Sequence, residues 1–140
     1  MWADAQDVLA LIEHYESGGR NVMNYLNDAW HTAGGYWQIT NTTWRSYAAG
    51  AGVDLTQYPT AISAPRGVQR TVAEALFERF GVLPWAPFNP KLAEAVGYTG
   101  QMYDEDGRPV SGGPPYRQVS FYGRATPRVR RHGADDEVWN

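Results

Sequence analysis

Residues 5–19 read Ala-Gln-Asp-Val-Leu-Ala-Leu-Ile-Glu-His-Tyr-Glu-Ser-Gly-Gly, a stretch that ends in Glu16-Ser17-Gly18-Gly19. Apolar residues recur in it every three or four positions, which is the period of a helix with one buried side. The two glycines then stop the helix. The sequence therefore predicts a first helix from about residue 4 to residue 15 or 16, with a carboxylic acid at its C-terminal end.

Three further helices are predicted from local signals. Asn41-Thr42-Thr43 is typical of a helix start, and the clearest helix is expected to begin at Ser63, to carry Pro65 in its first turn and to end at Gly81. A short helix is expected over residues 91–96. Residues 20–40 lack a helical period and are predicted to be loop with short extended pieces. The predicted fold class is mainly α, with short helices around a cleft and a small β contribution.

The composition changes after residue 98. Gly, Pro, Tyr and Arg dominate residues 99–140, and Gly112-Gly113-Pro114-Pro115 is incompatible with regular secondary structure. This segment has too little apolar surface to fold alone. The sequence therefore predicts one domain over residues 1–98 and an extended C-terminal arm over residues 99–140.

Composition excludes several classes of function. A formal net charge of −3 does not provide the basic face of a nucleic-acid-binding protein, so no nucleic-acid partner is predicted. The chain has no Cys and only three scattered His residues, so no disulfide, metal site or cofactor is predicted. No stretch has the length of a membrane span. Residues 1–4 show neither the basic nor the apolar region of a signal peptide, so another route to any target outside the cytoplasm is expected.

Glu16 is the first candidate for chemistry. Cleavage of a glycosidic bond needs a proton donor at the leaving oxygen, and a Glu can donate near neutral pH if apolar surroundings raise its pKa. Ile12 and Tyr15 supply apolar neighbours, and Gly18-Gly19 leave space for a ligand. A negative charge opposes the helix dipole at this end. Functional sites are where such unfavourable placements tend to occur, so this one favours a functional role for Glu16 over that of a solvated residue at a helix end.

Three segments follow one another at compatible spacing: Glu16-Ser17-Gly18-Gly19, Gly34-Gly35-Tyr36-Trp37-Gln38-Ile39 and Thr42-Thr43-Trp44. Together they resemble the lysozyme-like lytic transglycosylase superfamily, and within it the soluble lytic transglycosylase and resuscitation-promoting-factor types. The resemblance covers roughly residues 5 to 96. It implies that residues 1–98 form a lysozyme-like α+β catalytic domain that cleaves the β-1,4 bond between N-acetylmuramic acid and N-acetylglucosamine in peptidoglycan.

The resemblance also implies roles for individual residues. Glu16 matches the catalytic acid, which acts later as the general base. Gln38 matches a substrate-binding Gln, and Thr43 matches a Thr of the cleft wall. Ser17 directly follows the acid. The pattern is equally compatible with two roles for it: it could position Glu16 or the sugar, or it could bond to the helix backbone.

Three aromatic residues complete the set of substrate-binding candidates. Tyr36 and Trp37 replace the smaller pair that is usual before the Gln, so one ring is expected to pack inward and one to line the groove. Trp85 lies on a Pro-flanked loop, Pro84-Trp85-Ala86-Pro87, that is suited to a cleft rim.

A single carboxylate is enough for the reaction that the resemblance implies. The C6 hydroxyl of N-acetylmuramic acid attacks its own anomeric carbon and forms a 1,6-anhydro ring, and this intramolecular attack gains from proximity. Hydrolysis would need a second carboxylate. The candidates are Asp28, which lies in a loop longer than that of the family, and Asp54. Glu13 is one turn before Glu16. Transglycosylation is the favoured outcome, and hydrolysis stays open.

The predicted partners are peptidoglycan glycan strands. The arm at residues 99–140 is also compatible with docking to structural proteins of a phage particle or a secretion machine, and such a protein would act at the cell wall or in the periplasm. The alternative function is a non-catalytic structural or peptidoglycan-binding component of such an assembly. Because Glu16, Gln38 and Thr43 are all present, a catalytic function is favoured over this alternative.

Overall fold

The computed structural model describes residues 5–110, which are mainly helical. Four α-helices follow one another: α1 Ala5–Ser17, α2 Asn41–Tyr47, α3 Arg66–Phe80 and α4 Pro90–Val96. Three single 3₁₀ turns lie in the connections: Ala49–Ala51, Ala61–Ser63 and Ala86–Phe88. Within residues 5–110, no helix combines the length and the apolar character that crossing a bilayer requires. The predicted mainly α class is confirmed at this level.

The helices pack around a common hydrophobic core. α1 contacts both α3 and α4, and α2 contacts α3. Each helix contributes side chains that are almost completely buried, and three tryptophans fill the space between them. The largest of these buried apolar residues are Leu9, Ile12, Trp37, Trp44, Leu76, Trp85 and Leu92. Full burial of one large apolar side chain contributes about 1.5–3 kcal/mol, so this cluster is the main source of stability.

Side-chain caps set the starts of α2 and α4 where the sequence predicts them. Thr40 accepts a hydrogen bond from the backbone N–H of Thr43 at 3.2 Å, which satisfies a donor at the start of α2. Asn89 does the same for the N–H of Leu92 at 3.1 Å, one turn into α4. Gly97 ends α4 in the left-handed region, with φ at 75°.

The start of α3 differs from the prediction. Ser63 ends the preceding 3₁₀ turn, where its hydroxyl accepts a hydrogen bond from the N–H of Thr60 at 3.2 Å. Pro65 has an extended backbone, with φ −64° and ψ 160°, and stands before the helix instead of inside its first turn. Because the residue before a proline is disfavoured in the helical region, the chain cannot run as one helix from Ser63 into α3. The predicted end at Gly81 is correct.

Residues 20–40 form the loop that brings the sequence motifs together. Its regular structure is limited to two isolated antiparallel bridges, between Met23 and Gly34 and between Gly34 and Ile39. The N–H of Gly35 also donates to the carbonyl group of Val22 at 2.9 Å. These bonds fold the segment that carries Gln38 back onto the chain that leaves α1.

The first part of the predicted arm packs on the helical body. Met102 is 3% exposed and belongs to the core, and the N–H of Tyr103 donates to the carbonyl group of Pro87 at 2.9 Å. An apolar side chain such as Met102 gains free energy by burial even in a segment of polar composition. The folded part of the chain therefore continues beyond residue 98. The rest of the predicted arm, residues 111–140, lies outside the described residues.

Candidate active site

Glu16 lies at the C-terminal end of α1, and its side chain is completely buried. Its Oε2 atom accepts a hydrogen bond from Nδ2 of Asn89 at 3.2 Å. The same nitrogen donates to the backbone carbonyl group of Tyr15, also at 3.2 Å. The fold thus removes this carboxyl group from water and holds it against a side-chain amide at the start of α4.

Asn89 is a site residue that the sequence did not reveal. Its side chain has two functions, because Oδ1 caps α4 while Nδ2 holds the end of α1. The Asn-Pro pair at 89–90 indicates a helix start. It does not indicate a contact with a carboxyl group 73 positions earlier in the chain. Only the packing of α4 on α1 creates that contact.

Replacement of Asn89 by Asp tests this contact through stability. Asn89→Asp keeps an oxygen that can cap α4, but it places a second carboxyl group beside that of Glu16. Two adjacent carboxylates cannot both ionise at low cost, so the folded variant keeps a proton to higher pH than either the unfolded chain or folded wild type does. We expect its free energy of unfolding to be highest at acidic pH and to fall by up to about 1.4 kcal/mol per unit as pH rises above the usual carboxyl range.

Urea unfolding of Asn89→Asp and wild type between pH 3 and pH 8 measures this difference. Asn41→Asp is the matched control, since it adds the same charge at the first position of α2, where the helix dipole accommodates it. Parallel pH profiles for Asn89→Asp and Asn41→Asp would contradict the contact.

Ser17 stabilises the turn that follows Glu16. Its hydroxyl donates to the carbonyl group of Glu13 at 3.2 Å. It accepts from the N–H groups of Gly19 and Arg20 at 3.2 and 3.3 Å. Of the two roles that the sequence left open, the structure shows the bond to the helix backbone. Ser17 therefore acts on Glu16 by holding the end of α1.

Gln38 combines two features that are unfavourable for folding. Its backbone lies in the left-handed region, with φ at 50°, which costs about 1–3 kcal/mol in a residue other than Gly. Its Nε2 donates to the carbonyl groups of Val22 and Gly35 at 2.8 and 3.0 Å, and this orients the amide. Its Oε1 is buried without a hydrogen-bond partner, although a buried unpaired acceptor costs about 1–3 kcal/mol.

Thr43 lies beside Gln38 in the wall of a small hollow. The hollow has a volume of about 10 Å³, and Gln38, Thr40, Thr43 and Trp85 contribute to its lining. Thr43 accepts a hydrogen bond from the hydroxyl of Thr40 at 2.9 Å. A space of this size accommodates about one water molecule and no sugar ring. The structure brings Gln38 and Thr43 together, as the motif spacing implies, around a space that is too small for a sugar.

Two of the three aromatic candidates belong to the core instead of a groove. Trp37 is 1% exposed and donates from its indole nitrogen to the carbonyl group of Leu9 at 2.9 Å. Trp85 is completely buried and donates to the carbonyl group of Trp37 at 2.8 Å. Because both rings have buried hydrogen-bond acceptors and apolar neighbours, Trp37 and Trp85 have structural roles in the core, and their direct contact with a substrate stays a prediction.

Tyr36 is the one ring of the predicted set that stays partly exposed. The guanidinium group of Arg66 lies over it, 5.7 Å from the ring centroid. Its backbone N–H donates to Oε1 of Gln69 at 2.8 Å. Of the adjacent pair, Trp37 therefore packs inward and Tyr36 is the ring that remains accessible to a ligand.

Gln69 of α3 holds residues 20–40, here called the motif loop, in place. It is completely buried, and its Nε2 donates to Asn21 and to the carbonyl group of Ala64 at 3.0 and 2.9 Å. Gly35 lies directly against this amide in the left-handed region, with φ at 86°. A Cβ atom at position 35 would overlap Oε1 of Gln69.

Gly35→Ala is therefore expected to destabilise the protein more than backbone strain alone would. Gly52→Ala is the matched control, because Gly52 also has a left-handed φ, 89°, but nothing within 4 Å of the added carbon. We expect Gly52→Ala to cost about 1–2 kcal/mol. Gly35→Ala should cost at least about 2 kcal/mol more, since displacement of Gln69 breaks buried hydrogen bonds. Chemical unfolding measures both, and equal losses would show that Gln69 adapts freely.

Glu13 is not available as a second catalytic carboxylate. It is 8% exposed, and Arg66 binds it through two hydrogen bonds, from Nε at 2.9 Å and from Nη2 at 2.5 Å. The Glu13 carboxylate raises the pKa of Arg66 through the hydrogen bond between them. The two hydrogen bonds anchor α1 to the start of α3.

The other two candidate carboxylates are bound within their own loops. Asp28 accepts hydrogen bonds from the N–H groups of Trp30 and His31 and from Nδ1 of His31, at 2.8, 3.0 and 2.7 Å. The side-chain hydrogen bond of His31 is the main cause that lowers the pKa of Asp28. Asp54 accepts from the N–H of Thr56 at 2.9 Å. Both are exposed and serve as turn-stabilising groups.

Comparison of this chain with protein-family models, with curated proteins and with solved structures finds no match. The geometry of the described residues therefore carries the functional argument.

No cluster of three metal-binding side chains occurs within residues 5–110. A wider hollow, of about 630 Å³, lies between α1, α3 and the first 3₁₀ turn. Its lining includes Gln6, Thr71, Glu74 and Glu78, and none of the predicted site residues.

Proposed function

We propose that this protein cleaves peptidoglycan at the β-1,4 bond between N-acetylmuramic acid and N-acetylglucosamine, as a lytic transglycosylase with Glu16 as its acid. One observation carries the proposal. The carboxyl group of Glu16 is fully buried at a helix C-terminus and accepts a hydrogen bond from Asn89. The motif resemblance supplies the substrate class, and the buried carboxyl group supplies the chemistry.

The surroundings of Glu16 suit a proton donor. Removal from water disfavours the charged form of a carboxyl group. The negative end of the α1 dipole acts in the same direction. The amide of Asn89 favours the charged form in return, which helps the same group to take a proton back later in the cycle. An acid that also has to act as a base needs these opposing influences.

The proposed reaction uses one carboxyl group twice. Glu16 gives its proton to the glycosidic oxygen as the bond from this oxygen to the anomeric carbon of N-acetylmuramic acid breaks. The C6 hydroxyl oxygen of the same sugar forms a bond to that carbon, and its proton passes to the Glu16 carboxylate. The products are a 1,6-anhydro sugar end and a free hydroxyl on the leaving strand, with no water consumed and no change of oxidation state.

The hydrogen bonds of the other carboxylates favour transglycosylation over hydrolysis. A hydrolase of this class needs a second carboxylate as nucleophile or as base for water. Glu13 is bound by Arg66 through two hydrogen bonds. Asp28 is held by His31 and the backbone of its own loop. Because intramolecular attack needs no such group, transglycosylation is the proposed outcome.

Gln38 is the residue proposed to bind the glycan directly. Its unpaired buried Oε1 would gain a donor from a sugar hydroxyl or amide, which removes a cost that the free protein bears. Thr43 contributes to the same hollow, and the partly exposed ring of Tyr36 offers a face to a sugar. A lysozyme-like arrangement of the helices around this site, and action at the cell wall or in the periplasm, are parts of the same proposal.

Digestion of purified sacculi tests the proposal. The protein is incubated with sacculi and the soluble products are identified by mass spectrometry. Anhydro-muropeptides support transglycosylation. Reducing ends without anhydro products would show a hydrolase instead, and intact sacculi with bound protein would favour the non-catalytic binding role.

A further inference from the structure

Arg66, the first residue of α3, is held between α1 and the motif loop. Its Nε and Nη2 atoms donate to the carboxylate of Glu13 at 2.9 and 2.5 Å. Its guanidinium carbon lies 5.7 Å from the ring centroid of Tyr36 and 5.2 Å from that of Trp37. A planar cation that is bonded through two nitrogens and stacked on rings is held in a defined orientation.

Part of this guanidinium group is left for a ligand. An arginine side chain has five N–H donors, and Glu13 accepts from two of those of Arg66. No acceptor among residues 5–110 bonds to the others. The side chain is 46% exposed, and a Cβ atom added at the adjacent Gly67 would meet open space. The unused donors are therefore accessible from solvent.

The contacts of Arg66 place it beside the candidate site. Glu13 precedes Glu16 by one helical turn, and residues three apart on a helix are neighbours on its surface. Tyr36 is the partly exposed ring of the motif loop, two positions before Gln38. A glycan strand that contacts Tyr36 therefore passes next to the guanidinium group of Arg66.

We propose that Arg66 binds a carboxylate carried at the 3-O-lactyl group of N-acetylmuramic acid, and that it thereby selects strands that contain this sugar. This proposal rests on the proposed function and adds a specificity-determining residue to the same site. N-acetylglucosamine has no lactyl group, so this carboxylate distinguishes the two sugars of the strand. The N–H groups of arginine match the oxygens of a carboxylate in geometry and charge.

The carboxylate has two possible sources in peptidoglycan. In a strand without peptides it is that of the lactyl group itself. In a strand with peptides the lactyl group is bound in an amide, and the free carboxylates belong to the attached peptide. Both offer Arg66 the same chemistry, and the ligands used in the experiment distinguish them.

Glu13 gives the proposal a prediction of opposite sign. Its carboxylate orients Arg66, but it also repels a second carboxylate that approaches the same cation. Glu13→Gln keeps an oxygen that can accept from Arg66 and removes the repulsion, so it should strengthen the binding of an anionic strand. The double variant Glu13→Gln with Arg66→Gln removes both charges, so it should weaken that binding.

Isothermal titration calorimetry measures these effects in proteins that also carry Glu16→Gln, so that the ligand stays intact. The charged ligand is a tetrasaccharide of alternating N-acetylglucosamine and N-acetylmuramic acid with free lactyl carboxylates, and the neutral ligand is its lactyl methylamide. We expect Glu13→Gln to bind the charged ligand about fivefold more tightly than the parent, and the double variant about fivefold more weakly, the size of a half-exposed ion pair. The neutral ligand should bind equally to all three proteins.

A third tetrasaccharide, which carries peptides with free carboxylates, identifies the source. Dependence of the first ligand on Arg66 assigns the lactyl carboxylate, and dependence of the third ligand alone assigns a carboxylate of the peptide. If neither depends on Arg66, the carboxylate site is overturned. Because tighter binding by Glu13→Gln cannot come from a loss of folding, this variant tests the proposal even if the double variant is unstable.

The ion pair between Arg70 and Glu74 provides the matched control. It lies on the same helix with a distance of 3.2 Å between Nε and Oε2. The double variant Arg70→Gln with Glu74→Gln makes the same change of charge and should bind every ligand as the parent does. An equal effect of this control, or equal effects of the Glu13 and Arg66 variants on the charged and neutral ligands, would overturn the carboxylate site.

Digestion of sacculi by wild type separates this proposal from the proposed function. A preference for charged strands that depends on Arg66, together with release of anhydro-muropeptides, supports both. The same preference without cleavage supports the carboxylate site and overturns the lytic transglycosylase. Cleavage without a preference that depends on Arg66 overturns the carboxylate site alone. If no ligand binds and no sacculus is cleaved, both are overturned.

Discussion

Glu16→Gln is expected to reduce the rate of anhydro-muropeptide release about 10²–10⁴-fold. That is the range found when a positioned acid is removed. The variant keeps the shape of the side chain and an oxygen that can accept from Asn89, but it has no proton to give to the glycosidic oxygen. Initial rates of product release from sacculi, measured at equal protein concentration, test this expectation. The free energy of unfolding should change little by comparison, because a neutral amide and a protonated carboxyl group are similar in size and in the cost of burial.

Glu94→Gln is the matched control for this experiment. It makes the same chemical change on α4 at an exposed position and should retain the wild-type rate. If Glu16→Gln also retained a rate near that of wild type, another group would be the acid. Glu13→Gln would then be the next variant to test, although the bond from Arg66 argues against it.

Trp85→Ala is expected to lower the free energy of unfolding by about 3–5 kcal/mol, the cost of truncating a large ring in a packed core. Trp85 is completely buried, and its indole nitrogen bonds to the backbone of Trp37, whose own indole bonds to the backbone of Leu9. The two rings thus connect the third 3₁₀ turn through the motif loop to α1. Denaturant unfolding followed by fluorescence measures the loss.

Trp30→Ala provides the comparison, because Trp30 is 62% exposed. We expect it to change the free energy of unfolding by no more than about 0.5 kcal/mol, as is usual for surface substitutions. Trp85→Ala with a similarly small loss would contradict the core assignment and return Trp85 to the rim of a binding groove.

Local signals in the sequence were enough to predict most helix boundaries. Asn41 and the Asn89-Pro90 pair mark the starts of α2 and α4, and Gly81 and Gly97 mark the ends of α3 and α4. Each signal acts within one turn of the helix that it starts or ends. The start of α3 was predicted less well, because Ser63 and Pro65 carry the signals of two consecutive elements.

Local sequence patterns do not predict contacts between residues that are far apart in the chain. The bond from Asn89 to Glu16 spans 73 positions, and that from Arg66 to Glu13 spans 53. Which ring of the pair Tyr36 and Trp37 faces inward depends on the packing of whole elements, and so does the burial of Trp85. Asp104-Glu105-Asp106-Gly107 has the residues of a tight turn, but the polar composition of this segment gives no indication that Met102 packs in the core.

The central claim is that Glu16 protonates the bond that is cut, and a structure of Glu16→Gln with a bound glycan strand tests it most directly. The ligand is a tetrasaccharide of alternating N-acetylglucosamine and N-acetylmuramic acid. We expect the side-chain nitrogen or oxygen at position 16 to lie within about 2.6–3.2 Å of a glycosidic oxygen, with a donor from the sugar on Oε1 of Gln38. A strand bound instead in the hollow between Gln6 and Glu78, with position 16 still buried, would contradict the claim.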